Sequence, residues 1–385
     1  MQTPGSFVYL AVVFGLLVIP RALQRFRLPA QLTCFAFGII VAGFYKELVS
    51  DGVVQYLSTL GIAALFLLAG LEVDVAELRR EFASLVGHFA VRGLVLVAFA
   101  AIAGAYLHLG WQVDCMIALA LLTPSTGFIL DMLPHSGLNR QEQSEVALHA
   151  VTGEVTAVFL FLVISQAGSV KTLLVSGGSV ILMIAVIPLL YFALARYVVP
   201  YAPGSEFSLL LMVGLTCAVI TKTLGVYYLV GAFVAGLVAR SLSKRLTTLA
   251  SAENLEAIRL FASFFIPFYF FHSGLGVPSA ALISASLVYG FVLAACAMPV
   301  RLGVVWLQSR FMRHRESRGS IRVSIALSPT LIFTLVIAEI LRDNFAVSPA
   351  LYGGLLVYAA IASILPSLTL PAFAETSTVP LSLEA

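Results

Sequence analysis

The sequence predicts an all-α polytopic membrane protein of about thirteen transmembrane helices, folded as inverted repeats with two crossing broken helices. Three observations predict it. Apolar runs of spanning length recur along the chain, basic residues gather in alternate loops, and two Pro-centred motifs occupy matching places in the two halves. The composition agrees: 60% of the 385 residues are hydrophobic and 11% charged, against about 25% charged in a soluble domain.

Apolar runs bounded by charge or by Gly and Pro centre near Phe14, Phe37, Ala64, Leu96, Leu122, Glu154, Ile184, Gly214, Phe233, Ile266, Ala294, Phe333 and Leu356. The first run precedes Arg21, Arg25 and Arg27 and follows no basic segment, so it reads as a span rather than a cleaved signal. Around Lys222 one kinked segment competes with two short ones. The positive-inside rule tests the count. Loops following odd-numbered helices hold 16 of the 22 Lys and Arg residues, the opposite loops hold four, and Arg92 and Arg301 fall inside helices. An odd number of spans follows, with the N-terminus outside and the C-terminus inside, as in a bacterial inner membrane protein.

No polar stretch is long enough for a soluble domain, so residues 1–375 read as one membrane transport unit with a short tail over 376–385. The net charge of +3 reflects the basic loops; membrane lipid is the expected surrounding and nucleic acid is not an expected partner. Cys34, Cys115, Cys217 and Cys296 lie singly in apolar runs without metal-ligand spacing. No cofactor is expected, and the absence of HExxH and GxSxG argues against an enzyme.

The repeat is visible in short motifs. The third helix ends LLAGLEVD and the tenth ends FHSGLGVP; the fifth is interrupted by LTPST and the twelfth by LSPT. Gly70 precedes Pro124 by 54 residues, and Gly274 precedes Pro329 by 55. Seven helices separate the partners, so the halves have opposite orientation. Paired interrupted helices in inverted repeats point to a binding site at the membrane midplane. Pro124 and Pro329 each delete a backbone hydrogen bond, and Thr123, Ser125, Thr126, Ser328 and Thr330 can satisfy the freed groups or contact a cation.

Between these motifs runs the sixth helix, largely apolar over 145–167 for about a membrane thickness, yet carrying Glu154 near its middle. An ionised carboxylate at a helix centre costs about 2.5–3.5 kcal/mol on insertion scales, so such a residue faces a cavity or a partner. Its repeat mate is Ala359, so a single acid sits within the symmetric frame. A carboxylate accepts a proton or coordinates a monovalent cation, and that competition suffices for exchange.

At LLAGLEVDVAELRR, LTPSTGFILDML, the Glu154 helix, YYLVGAFVAGLVARS and FFIPFYFFHSGLGV, the chain resembles a Kef-type member of the second monovalent cation:proton antiporter family, from about Tyr9 to Pro371. The resemblance implies antiport of Na⁺, with K⁺ as second choice, against H⁺. It also implies a homodimer whose six-helix core, expected over roughly 60–165 and 258–372, moves against dimerisation helices. The family places an acid within an Asn-Asp, Asp-Asp or Gln-Asp pair; here the matching positions are Gly153 and Glu154. Its basic residue before the second broken helix matches Arg301, the expected charge partner of Glu154. Kef proteins commonly append a nucleotide-binding domain, and this sequence runs to Ala385 without one.

Other charged residues receive local roles. Asp131 reads as a helix-end acid, Glu339 as an outer-end residue near Arg342 and Asp343, and Arg92 as an arginine snorkelling to the inner face. His88, His149 and His272 read as packed histidines. Two further readings share the frame: a sodium-coupled organic-anion symporter, against which stands the scarcity of other polar residues, and a transport-inactive sensor or regulatory protein, motivated by Gly153 and the missing Asp.

Overall fold

A computed structural model describes residues 6–73, 82–133, 136–166, 170–223, 228–242, 251–312 and 317–370. These form fifteen α-helices, and α1 (Ser6–Gln24), α2 (Ala30–Ala42), α3 (Gly52–Glu72) and α4 (Phe82–Leu107) open the chain. Then come α5 (Trp111–Leu122), α6 (Thr126–Met132), α7 (Arg140–Gln166), α8 (Val170–Tyr197), α9 (Glu206–Thr223), α10 (Tyr228–Leu242) and α11 (Ala252–Leu275). The last four are α12 (Ser284–Met312), α13 (Ser317–Ala326), α14 (Leu331–Phe345) and α15 (Pro349–Thr369).

Among the described residues ten spans are long and apolar enough to cross a membrane, with α5 and α6 forming parts of one. The pair α13 and α14, bent by 40° at a short break, makes an eleventh, and α2 and α10 are shorter apolar helices. Together they cover all thirteen expected centres, from Phe14 in α1 to Leu356 in α15. This is an integral membrane protein. Segment 74–81, the side chains of His88 and Asp131, and the tail from 371 lie outside the described residues.

The helices pack in two groups. In one, α3 lies against α11 and α10, α11 against α2, and α9 against α10; in the other, α12 lies against α15 and α13, α14 against α15 and α5, and α4 against α5. Thus α3 and α11, which fall within the expected core ranges 60–165 and 258–372, make their main contacts outside the bundle that holds Glu154. Their small residues explain it. A Cβ on Gly70 would run into the Phe233 carbonyl of α10, and one on Gly236 into the Leu67 carbonyl of α3. On the other side a Cβ on Gly274 would strike the Phe35 carbonyl of α2, and one on Gly38 the Phe271 carbonyl of α11. In lipid, where apolar side chains gain nothing by leaving solvent, such close backbone approach is a main source of helix association. Gly70 and Gly274 are repeat mates, so the inverted repeat is written in these contacts as well as in the motifs.

The first interruption follows from its proline. Pro124 has no N–H and pushes the preceding residue out of helical conformation, and Thr123 accordingly sits at φ −82°, ψ 123°. The helix α7 begins with a reciprocal cap, in which Glu142 N donates to Asn139 Oδ1 at 2.8 Å and Asn139 N donates to Glu142 Oε2 at 2.9 Å.

The glycine seams are testable. Gly70→Val or Gly236→Val should destabilise the protein by about 1–3 kcal/mol through overpacking, read as a lower melting midpoint in detergent. Gly177→Ala on α8, where an added Cβ meets nothing within 4 Å, should not lower the midpoint and should raise it slightly, since alanine favours a helix over glycine.

Candidate functional site

Two interrupted helices meet in the second bundle, each presenting a helix C-terminal end, a short extended link and a helix N-terminal end. Four sets of unpaired peptide groups therefore face one another where water is scarce, and each must find a partner. Direct ties link the breaks: Ser125 N donates to the Pro329 carbonyl at 2.9 Å, and Ile332 N to Ser125 Oγ at 3.0 Å. The end of α5 is closed by Tyr358 Oη, which donates to the Leu121 carbonyl at 2.6 Å, and by Thr334 Oγ1, which donates to the Ala120 carbonyl at 2.8 Å.

Charged groups close two more ends. Glu154, 2% exposed on α7, accepts from Thr126 N at 3.1 Å, so its carboxylate stands at the positive N-terminal end of α6. Arg301, 8% exposed on α12, donates from Nη1 to the Ser328 carbonyl at 2.7 Å and from Nη2 to the Leu327 carbonyl at 3.0 Å. Its guanidinium thus covers the negative C-terminal end of α13. Nη1 also lies 3.1 Å from Tyr358 Oη.

The predicted residues are therefore brought together, though not all in their expected roles. Thr123 Oγ1 donates back to the Leu119 carbonyl at 2.7 Å, and Ser328 Oγ to the Ala362 carbonyl at 2.9 Å, so both repair backbone. Ser125 ties the two breaks. Thr330 Oγ1 is buried with no hydrogen-bond partner among the described residues, and the Thr126 hydroxyl stands beside the Glu154 carboxylate, so both oxygens lie at the crossing. Arg301 makes no ion pair with Glu154: its bonds go to carbonyls and a phenol, because the open end of α13 offers it acceptors that a fixed helix dipole already favours.

Arg92 differs most from expectation. It does not snorkel to a membrane face but turns inward, where Nη2 donates to the His149 carbonyl at 3.0 Å. A Cβ on Gly153 would collide with its Nη1 and lie 2.7 Å from Pro124 Cγ. The guanidinium therefore stands where a second polar side chain of the pair would begin. No spacing in the sequence announces this, since α4 and α7 are far apart in the chain and an arginine side chain is long. A partial signal existed in Gly153 itself, a missing side chain beside the acid.

The remaining residues are placed as follows. His149 is buried with Nε2 4.0 Å from Glu145 Oε1, and Glu145 also accepts from Ser309 Oγ at 2.7 Å. His272 Nε2 is 3.2 Å from the Val49 carbonyl. Glu339 lies beside Ser273 and Arg342, while Arg342 Nε donates to Asp343 Oδ1 at 2.7 Å and its Nη1 to the Gly276 carbonyl at 2.8 Å.

A cavity of about 880 Å³ opens between the two helix groups, lined by Glu72, Arg240 and Arg259 as well as by Gly127, Ala147 and Val151. Ala147 and Val151 precede Glu154 by seven and three residues, so the cavity reaches the face of α7 that carries the acid. A smaller cavity lies on the opposite face of α7, at Gly153 and Thr156, where Arg92 and Arg301 are both in its wall.

Comparison with known proteins agrees with this architecture. The chain is 23% identical over 348 residues to the probable Na(+)/H(+) antiporter 3 of Methanocaldococcus jannaschii, covering 85% of this chain and 86% of that protein. Its fold is similar to that of the sodium proton antiporter MjNhaP1 of the same organism at pH 8, with a TM-score of 0.69, 13% identity and 94% of each chain covered. An electron-microscopy structure of MjNhaP1 matches with a TM-score of 0.65 and 16% identity over 96% of this chain and 95% of that one. The family described as sodium/hydrogen exchanger, transmembrane, matches residues 9–376, and the chain belongs to it.

Proposed function

We propose that the protein is a Kef-type secondary antiporter that exchanges a monovalent cation for protons by alternating access, with Na⁺ the first choice and K⁺ the second. One observation carries the reading: a buried carboxylate, Glu154, stands at the N-terminal end of α6, with the hydroxyl oxygens of Thr126 and Thr330 at the same crossing. Family membership and the antiporter relatives support the exchange chemistry.

The cycle follows from electrostatics. With Glu154 ionised, its oxygens and the two threonine hydroxyls form an oxygen-only donor set suited to an alkali cation. A proton on Glu154 removes that charge, weakens the bond from Thr126 N and expels the cation. Proton and cation therefore exclude each other at one atom set. The bundle of α4–α7 with α12–α15 is the moving core in this reading, the group around α3 and α11 is the stationary dimerisation part, and the protein acts as a homodimer. Arg240 and Arg259 in the wall of the large cavity belong to the basic-loop side, which we assign to the cytoplasm, so the state described faces inward with the N-terminus outside and the C-terminus inside.

One observation favours a transport-inactive sensor as the second reading: Arg92 brings a fixed positive charge to the position beside the acid. Proteoliposomes holding an imposed pH gradient distinguish the two. The antiporter dissipates the gradient on addition of Na⁺ or K⁺, and Glu154→Gln abolishes this while keeping the wild-type elution profile in size-exclusion chromatography. A wild-type protein that dissipates no gradient with Li⁺, Na⁺, K⁺ or Rb⁺ is the sensor.

The capping role of the arginine is separable from exchange. Tyr358→Phe loses the bond to Leu121 and the contact with Arg301, and should cost about 1–2 kcal/mol of stability. Arg301→Gln, which strips the Leu327 and Ser328 carbonyls of a charged donor, should cost about 1.5–3 kcal/mol or more. Melting midpoints of the two variants against wild type check the order.

A further inference from the structure

The smaller cavity, about 70 Å³, meets α7 at Gly153, Thr156 and Leu160, a face turned away from the one that Ala147 and Val151 present to the large cavity. We propose that it binds a small monovalent anion, of the halide or nitrate class, between Arg92 and Arg301.

Four features of the cavity support this. First, its wall carries both guanidiniums, and arginine stays charged in proteins. Arg301 is compensated by two carbonyls and a helix end, whereas Arg92 has only the His149 carbonyl among the described residues. Second, Gln308 lines the same space at 6% exposure, and neither its amide nitrogen nor its oxygen has a partner. A buried primary amide left unpaired costs about 1–3 kcal/mol, so its N–H donors point to a missing acceptor.

Third, the rest of the wall is largely apolar, with Leu119, Leu122, Leu160 and Leu302, so a charge there is weakly screened. Both guanidiniums stand in this wall and no carboxylate of the described residues lines it, so an anion placed there meets positive charge on two sides without taking Glu154 from its place at α6. Fourth, the space admits a few bodies the size of a water molecule, which fits a bare halide or nitrate and not a whole phosphodiester headgroup.

The repeat explains how the site arises. Arg92 and Arg301 occupy the repeat-related helices α4 and α12, and the mate of Gly153 is Tyr358. In one half a phenol stands beside its arginine. In the other the side chain is absent, and the room it leaves joins the two guanidiniums across one cavity.

The test reads binding rather than exchange, so it stands apart from the antiport proposal. Purified wild-type protein in neutral-lipid nanodiscs, at constant Na⁺ with gluconate replaced stepwise by bromide, should show a saturable rise in melting midpoint. Crystals grown in bromide should show anomalous density between Arg92 and Arg301. Arg92→Gln and Gln308→Leu should each weaken the apparent bromide affinity at least tenfold, and Glu154→Gln should retain binding. Absence of saturable stabilisation in the wild type, a bromide peak elsewhere, or unchanged affinity in Gln308→Leu overturns the proposal. Stabilisation by phosphatidylglycerol and not by bromide also overturns it, by assigning the arginines to a lipid headgroup. If Arg92→Gln does not fold, the wild-type crystal and Gln308→Leu decide.

Discussion

The structure depends on one constraint: peptide groups at broken helix ends must be satisfied inside the membrane. Breaking two helices within the bundle exposes donors at the starts of α6 and α14 and acceptors at the ends of α5 and α13. Lipid supplies no partners, and each unsatisfied group costs several kcal/mol. The protein meets the cost with a few side chains, and the charges among them are chosen by sign. A carboxylate stands at a helix start and a guanidinium at a helix end. Function and stability therefore share atoms, because the group that would carry the proton is also the cap of α6.

The two halves solve the same problem differently. In the first, the acid on α7 caps α6 and the position before it is empty of side chain. In the second, the equivalent positions are Tyr358 and Ala359, and the tyrosine reaches back to close α5 in the opposite half. The halves are thus interlocked rather than merely packed, each supplying a cap to the other. The two halves therefore diverge at matching positions, an acid after an empty position in one and a tyrosine before an alanine in the other.

Much of this was legible in the sequence. Hydropathy, loop charge and matched prolines locate the spans, the breaks and Glu154, because each leaves a local mark of length or composition. What escaped depends on contacts between distant segments. Arg92 does not take the snorkelling direction its sequence suggests, because the vacancy at Gly153 leaves room for the guanidinium inside, and no local mark reveals that contact. The partners of Arg301 escaped because a carbonyl at a helix end carries no sequence signature. The packing of α3 and α11 with α2 and α10 escaped for a similar reason: Gly38 and Gly236 read as ordinary small residues until the backbones they admit are known.

The bonds from Ser125 N to the Pro329 carbonyl and from Ile332 N to Ser125 Oγ bind the two interruptions to each other. Neither break is a free hinge. Displacing one link alone breaks both bonds, so flexing confined to a single loop leaves peptide groups unsatisfied. Movement of Glu154 relative to the membrane would need the knotted pair to travel as cargo within a larger body, with sliding displaced to the seams at its edge.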